Sequence, residues 1–465
     1  MRPLVRLVVA ALAVCAVSAC SGSPAVTTPA GGASSGASSA DAPAAADDAS
    51  PSESAATASA SAMAAMPGTA GTPGTDGGMA ALAAPPAGSP VETAVRLEAL
   101  MAQHSVLATD MMRARIRGDG GLAQAADAAL STNSTDLAAV LRPVIGATAA
   151  TAFRAAWAEH IEALFNYARG LSTHDAAVQA DARKDLQEYE EDLAKLFVTA
   201  SHGRLSPAAA LADVRMHIEH LVAGADAYAA KRYDVSAAMY RTSYTHAFEL
   251  GGTLARALLP ASAGPKLEAP TVALRSALTS RLGEHASLVV AAMRSAVGDR
   301  ADFDAMGTVL NGNTQDLGAA IESLFGAAAA RQFQNQWADH VDQLLAYTSA
   351  TVTQDTAGQE KARQALRTFE QTFAAFLDGA TQHRLGTPAL AQAFVMHDRE
   401  LLAQIDAYSA KQYQQAHDLS DQTYAHMFTV ADQLSGAIGA TLAGRLPRGG
   451  SQTGGGGTAA EANVR

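Results

Sequence analysis

Cysteine is almost absent from this chain of 465 residues, and both copies, Cys15 and Cys20, lie near its N-terminus. Cys15 falls inside an apolar segment typical of an export signal, so Cys20 is the only cysteine left once that signal is removed. A disulfide within one mature molecule is therefore excluded. Any metal site in the mature chain must also be built without thiolate ligands.

Aromatic residues make up only 5% of the sequence, the formal net charge is −12, and no run of lysine and arginine occurs. The lack of a basic run argues against nucleic acid as a partner and against a basic membrane-surface patch. Alternating runs of β-branched residues are missing as well, so no strand is predicted. The sequence also lacks a zincin motif, a phosphate-binding glycine loop and a nucleophile elbow, and it predicts no enzyme activity.

The N-terminus has the features of an export signal. Arg2 and Arg6 precede an apolar run over 7–17 that is too short to span a bilayer. The run ends in Val17-Ser18-Ala19-Cys20, which resembles the lipobox of bacterial lipoproteins. The resemblance implies a signal peptide over 1–19, a lipid on Cys20 and an extracytoplasmic protein anchored to the cell membrane through that lipid. The alternative is an ordinary signal peptide cut after Ala19, with Cys20 incidental.

Two segments lack the residues needed for a core. Residues 20–90 consist mainly of Ala, Ser, Gly, Pro and Thr, and residues 448–465 include four consecutive glycines. Both are predicted to be disordered. A flexible chain of about 70 residues spans about 45 Å, so the first segment would serve as a tether.

The remaining sequence is an internal repeat. The stretch 226–248 returns 180 residues later: Asp226-Ala227-Tyr228 reappears as Asp406-Ala407-Tyr408. Two copies of one folding unit follow, over 91–260 and 271–447. The proline-bearing linker between them predicts few contacts across it, so the second copy is expected to fold alone as a monomer.

Apolar residues spaced three and four apart predict helices throughout both copies. The predicted helices are 92–117, 134–146, 148–172, 178–200, 207–231 and 234–259 in the first copy, and 271–297, 314–325, 327–352, 357–380, 388–411 and 414–445 in the second. Short connections between long helices favour antiparallel neighbours. The fold class is therefore all-α, with two tandem antiparallel helical bundles of about four to six helices each.

Histidine is the residue that the two copies share most conspicuously. The chain has 13 histidines, and most of them pair at an offset of 180 or 181. Four of the pairs lie near the middle of long helices, on apolar stripes that face inward. These pairs are His104 with His285, His160 with His340, His217 with His397, and His246 with His426. Each bundle is thus expected to gather four imidazoles in one layer of its core.

A buried imidazole without a partner costs about 1–3 kcal/mol. Four in one layer favour a shared ligand, and imidazole binds zinc, copper and iron. The eight paired histidines are therefore candidate metal ligands, with axial ligation of a haem as a weaker variant. The alternative is that each ring bonds separately to a tyrosine, a carboxylate or a carbonyl.

Two further matched features lie outside the long apolar stripes. Asn133 and Asn313 are predicted as helix N-caps, which places Asp136 and Asp316 in the first helical turn. The other reading has Asp136 and Asp316 facing the metal. The remaining matched histidines precede Arg-Leu in a loop and are predicted as turn residues; they are His202 and His383.

The succession of an inward histidine, an Asn-x-x-Asp segment, a Trp-x-x-His helix from Trp157 and a Tyr-x-His-x-Phe helix from Tyr244 resembles uncharacterised secreted bacterial helical-bundle proteins that contain such histidines. The resemblance implies the fold but no function. Two hypotheses stand: a lipid-anchored protein that binds a metal in each bundle, and a structural or interaction lipoprotein displayed at the cell surface. The sequence does not identify a protein partner.

Overall fold

Every secondary-structure element in the computed structural model is helical, which confirms the all-α class. The structure describes residues 89–298 and 300–445, and no β-strand occurs within those ranges. The predicted signal peptide, Cys20, the tail and the tether as far as residue 88 lie outside the described residues. The last two residues of the predicted tether are not disordered, because Ser89 caps the first helix and Pro90 begins it. None of the helices in the described ranges has the length and apolar character needed to cross a membrane.

Thirteen helices occupy the described residues. The first repeat contains α1 (Pro90–Arg117), α2 (Gly120–Ile145), α3 (Ala147–Thr173), α4 (Ala176–Ala200), α5 (Pro207–Ala229) and α6 (Tyr233–Leu258). A 3₁₀ turn (Ala261–Ala263) and the short α7 (Gly264–Leu267) form the linker. The second repeat contains α8 (Pro270–Val297), α9 (Phe303–Phe325), α10 (Ala327–Val352), α11 (Thr356–Ala380), α12 (Thr387–Ser409) and α13 (Tyr413–Arg445). Each long helix packs against the next one within its repeat.

The second helix of each repeat starts more than ten residues before its predicted start. In α2 the N-cap is Asp119, whose carboxylate accepts from the Leu122 amide at 3.2 Å. The predicted N-cap role of Asn133 and Asn313 is therefore wrong, since both lie inside helices. Asn133 Nδ2 instead donates to the Leu100 carbonyl at 3.0 Å, and Asn313 Nδ2 donates to the Arg281 carbonyl at 3.1 Å. Tertiary partners thus hold an amide that would otherwise disfavour a helix interior.

The turn residues expected from the sequence are present. His202 and His383 have φ of 52° and 58°, in the left-handed region where a chain reverses after a helix. Lys231 and Lys411, at the α5–α6 and α12–α13 turns, share a φ of 59°. The two repeats therefore use matched backbone turns as well as matched helices.

The first helix of each repeat lies at the centre of its neighbours. Helix α1 contacts α2, α3, α5 and α6, and α8 makes the matching contacts in the second repeat. The approach of α6 to α1 is close: a Cβ on Gly251 would lie 2.6 Å from Glu98 Cα. Such a distance is below van der Waals contact, so the α1–α6 packing requires glycine at this position.

The two repeats pack together around a pair of tyrosines. The Tyr244 hydroxyl donates to the Ser280 carbonyl at 3.0 Å, and the Tyr424 hydroxyl donates to the Ala99 carbonyl at 2.9 Å. The two hydroxyl oxygens lie 3.3 Å apart. Because each partner is shifted by 180 or 181 residues, the contact is reciprocal, as in a symmetric dimer.

Apolar packing also crosses between the repeats. Tyr240 and Leu122 of the first repeat belong to the same buried cluster as Leu288 and Met293 of the second. The helices of both repeats form one compact unit. The expectation of few contacts across the linker is therefore wrong. Composition of the linker does not report on the surfaces that it joins.

We expect Gly251→Ala to lower the free energy of unfolding by about 1–3 kcal/mol, because the new methyl group must push α6 away from α1. Urea unfolding followed by circular dichroism measures the change. The control is Gly436→Ala, at an exposed position inside α13 where a Cβ meets no atom within 4 Å. In that control the free energy of unfolding should rise by about 0.5–1 kcal/mol. Equal effects of the two substitutions would contradict the close α1–α6 packing.

A fragment covering 271–447 should not behave as a stable monomer, because it exposes the surface that contains Tyr424 and Phe428. The reciprocal geometry lets a second copy of the fragment cover that surface. We expect a dimer with a lower melting temperature than the full chain, measured by light scattering and circular dichroism. A monomer that melts at the temperature of the full chain would show that the interface contributes nothing to stability.

Candidate metal centres

Three histidines of the first repeat meet in its core. His104 on α1, His160 on α3 and His217 on α5 each offer a ring nitrogen, and these atoms lie within 4.8 Å of one another. All three side chains are buried, with at most 1% of the residue exposed. The ring centroids of His104 lie 5.0 Å from His160 and 5.4 Å from His217. We call this group the N-terminal triad.

The second repeat contains the same arrangement. His285 on α8, His340 on α10 and His397 on α12 bring ring nitrogens within 4.8 Å of one another, and all three rings are buried. The centroid distances from His285 are 5.9 Å to His340 and 6.0 Å to His397. We call this group the C-terminal triad. The two triads lie on equivalent helices of the two repeats.

The apolar stripes of the helices aim these rings inward. On α3 the buried residues Phe153, Trp157, His160 and Leu164 recur at steps of four and three, so they share one face of the helix. The ring of Trp157 lies 4.7 Å from that of His160. Burial of this face against α1 and α5 therefore places the imidazole in the core without any further constraint.

Hydrogen bonds link part of the N-terminal triad. Trp157 Nε1–H donates to His104 Nδ1 at 3.2 Å, and His104 Nε2 lies 3.0 Å from His160 Nε2. Because His104 Nδ1 accepts, the proton of a neutral His104 ring must be on Nε2. Nε2 of His104 then donates to Nε2 of His160.

Many triad nitrogens have no hydrogen-bond partner among the described residues. They are His160 Nδ1 and both ring nitrogens of His217, His285, His340 and His397. A buried polar atom without a partner costs about 1–3 kcal/mol. Such atoms are rare in native proteins, and nine of them in two small groups make the two triads candidate ligand sites.

All six imidazoles are held neutral. Burial lowers the pKa of His160 and His285 to about 3. Burial also lowers the pKa of the other four rings well below the usual value, with an added contribution from neighbouring histidines. A neutral imidazole has one lone pair available at a ring nitrogen, which is the form that binds a metal.

The fourth predicted ligand of each repeat lies outside the triad. His246 Nε2 lies 3.0 Å from the Asp213 carbonyl, and His426 Nε2 lies 2.8 Å from the Ala393 carbonyl. Each carbonyl precedes the triad histidine of its helix by four residues, about 6 Å along the axis. The expected layer of four rings is thus reduced to three, because the last helix places its histidine one turn away.

The structure does not bring the two candidate aspartates to the triads either. Asp316 pairs with Arg241 at 2.8 Å and with Arg281 at 3.2 Å. Partial burial raises the pKa of Asp136, and the charge of Arg96 opposes that rise. Both carboxylates therefore balance arginines on a neighbouring helix.

Several neighbours of the triads are not evident from the sequence. Tyr189 stacks on His160 at a centroid distance of 4.4 Å, and Phe369 stacks on His340 at the same distance. Asp398 is 2% exposed, and its Oδ1 lies 3.5 Å from His340 Nδ1. Burial and the nearby Glu370 raise the pKa of Asp398 well above its usual value. Positions 189 and 369 are both aromatic and lie 180 residues apart, so comparison of the two repeats offers a signal for the stacking residues.

Two cavities lie between the repeats. The larger has a volume of about 520 Å³ and is lined by residues that include Glu98 and Ser276. A smaller one of about 30 Å³ lies beside Asp421. No triad histidine lines either of these two cavities.

No protein-family model, curated protein or solved structure matches this chain.

The metal-free protein should lose stability on acidification. The pKa of each triad ring is lower in the folded chain than the value of about 6.5 in the unfolded chain. The unfolded state therefore binds more protons below pH 6.5, and folding stability falls from about pH 6.5 towards pH 3. At pH 5.5 each ring that stays neutral in the folded chain lowers the free energy of unfolding by about 1.4 kcal/mol relative to its value at high pH.

Urea unfolding at pH 7.5, 6.5 and 5.5 in the presence of a chelator tests this dependence. We expect His217→Gln to reduce the pH slope by about one proton. His174→Gln, at an exposed helix C-cap, should leave the slope of the wild type. A slope that does not change in His217→Gln would mean that this ring is not buried in neutral form.

Proposed function

We propose that this protein binds one transition-metal ion in each histidine triad. The observation that carries the proposal is the convergence of three buried, neutral imidazoles in each repeat, most of whose ring nitrogens have no hydrogen-bond partner among the described residues. Separate hydrogen bonds would satisfy isolated core histidines. One ion would satisfy three lone pairs at once.

The triads are somewhat wider than a loaded site. Nitrogen ligands at 2.0–2.1 Å from a tetrahedral zinc ion lie about 3.3 Å apart. The ring nitrogens of each triad are within 4.8 Å of one another, so inward shifts of about 1 Å bring them to bonding distance. Rotation of a histidine side chain readily supplies such a shift.

The ligand chemistry narrows the choice of metal. Three imidazoles without thiolate suit zinc, copper or iron rather than magnesium or calcium, which prefer oxygen ligands. Three neutral ligands do not offset the +2 charge of the ion, and they leave one coordination position open.

The cellular location of the protein is part of the proposal. The segment Val17-Ser18-Ala19-Cys20 supports an extracytoplasmic protein anchored by a lipid on Cys20. Residues 20–90 would then tether the helical unit to the membrane surface. The function is thus proposed as metal binding outside the cytoplasm.

A second candidate is a structural or interaction lipoprotein without metal. It is favoured by the bonds within the N-terminal triad, where His104 accepts from Trp157 and contacts His160 at 3.0 Å. In this case the triads are polar cores that specify packing. The C-terminal triad argues against it, because both nitrogens of all three of its rings are unsatisfied among the described residues.

Metal analysis separates the two candidates. The full chain is stripped with a chelator, equilibrated with Zn²⁺, Cu²⁺ or Fe²⁺ and desalted, and the bound metal is measured together with the melting temperature. We expect two equivalents of at least one metal and a higher melting temperature. His217→Gln and His397→Gln should each remove one equivalent, since each removes one of three ligands.

The matched controls are His246→Gln and His426→Gln, which alter the histidines that bond to carbonyls outside the triads. Both should retain two equivalents. Fewer than about 0.2 equivalents of every metal in the wild type would end the metal proposal and favour the structural one.

A further inference from the structure

We propose that Asp398 positions His340, which makes the C-terminal triad the tighter of the two metal sites. This inference rests on the proposed metal-binding function and goes beyond it by ranking the two sites. Asp398 lies next to His397 on α12 but reaches across to α10, where its Oδ1 is 3.5 Å from His340 Nδ1.

The contact assigns roles to the two nitrogens of His340. His340 Nδ1 and Asp398 Oδ1 form no hydrogen bond at 3.5 Å. When His340 binds a metal through Nε2, Nδ1 carries the proton, and a small rotation of either side chain lets it donate to the carboxyl oxygen. Either protonation state of Asp398 leaves an oxygen lone pair for this contact, so the positioning does not depend on its titration.

The first repeat cannot make the same contact. The residue that matches Asp398 at the 180-residue offset is Ile218, which is buried and apolar. His160 therefore has no carboxyl group from this position, and its Nε2 lies 3.0 Å from His104 Nε2. A metal that uses both of these nitrogens must first replace their hydrogen bond.

The expected size of the effect follows from known metal sites. An oxygen acceptor that takes the outer N–H of a metal-bound histidine fixes the orientation of the ring, and loss of such a group weakens metal binding by about 10–100-fold. We therefore expect the C-terminal triad to bind about 10–100 times more tightly than the N-terminal triad. It should fill first when metal is scarce.

Single-site proteins measure the two affinities separately. His217→Gln leaves the C-terminal triad intact, and His397→Gln leaves the N-terminal triad intact. Each full-length variant is titrated with Co²⁺ against a competing chelator, and the visible absorption of the bound cobalt reports occupancy. The protein with the C-terminal triad should bind about 10–100-fold more tightly.

Further substitutions in the His217→Gln protein isolate the role of Asp398. Asp398→Ile, which copies the residue of the first repeat, should lower the affinity to that of the N-terminal triad, and Asp398→Asn should restore part of it through its remaining oxygen. The matched control is Asp378→Asn, which alters a buried acid of the same repeat that accepts from the Gly386 amide and the Thr387 hydroxyl. It should leave cobalt affinity unchanged.

A measurement on the zinc-loaded His217→Gln protein tests the positioning directly. The Nδ1 proton of a metal-bound histidine gives its own NMR signal, which moves downfield when the proton is donated to an oxygen. We expect a downfield signal for His340 Nδ1–H with Asp398 in place and an upfield shift in Asp398→Ile. A merely structural role of Asp398 would leave the signal where it was.

The outcomes separate this inference from the proposed function. Equal cobalt affinities of the two triads, unchanged affinity in Asp398→Ile, or a His340 Nδ1–H signal that Asp398→Ile leaves in place would overturn the role of Asp398 while leaving metal binding in place. Absence of cobalt binding in both single-site proteins would overturn the metal proposal and the ranking with it.

Discussion

Burial of neutral imidazole is the constraint on which the rest of this structure depends. Each triad places three polar rings where almost no surface is exposed, and burial keeps them uncharged at neutral pH. Packing of the residues around the rings must offset the free-energy cost of burying these polar groups. Long helices with alanine and glycine at their contacts allow the close approach that encloses the rings, as at Gly251 against Glu98.

Duplication explains why the interface between the repeats has a reciprocal pattern. Gln103 donates to Asp421 at 2.9 Å, and at the matching place Arg241 pairs with Glu284 at 2.8 Å. The polar partners have changed from an amide–acid pair to an ion pair, whereas Tyr244 and Tyr424 remain in both. The interface therefore depends on shape and apolar burial more than on any one charge.

The apolar periodicity was sufficient to predict the helices and the inward direction of the histidines, because both follow from the helical repeat. It cannot predict the level of each ring along the bundle. The predicted layer of four rings therefore includes His246, which lies one turn away from the triad. The periodicity also could not show that Asn133 would find the Leu100 carbonyl, or that Asp398 would reach His340. These contacts join helices that are distant in sequence, and only their packing defines them.

Comparison of the two triads shows which features both repeats retain. Three of the positions around them differ: Tyr189 against Phe369, Ile218 against Asp398, and Arg215 against Val395. The rings themselves are unchanged, and so are the tryptophans beside them, Trp157 and Trp337. If the histidines served only to fill the core, apolar residues of similar volume would avoid the cost of unsatisfied nitrogens. Retention of all six rings amid altered surroundings therefore supports the proposal that both triads bind a ligand.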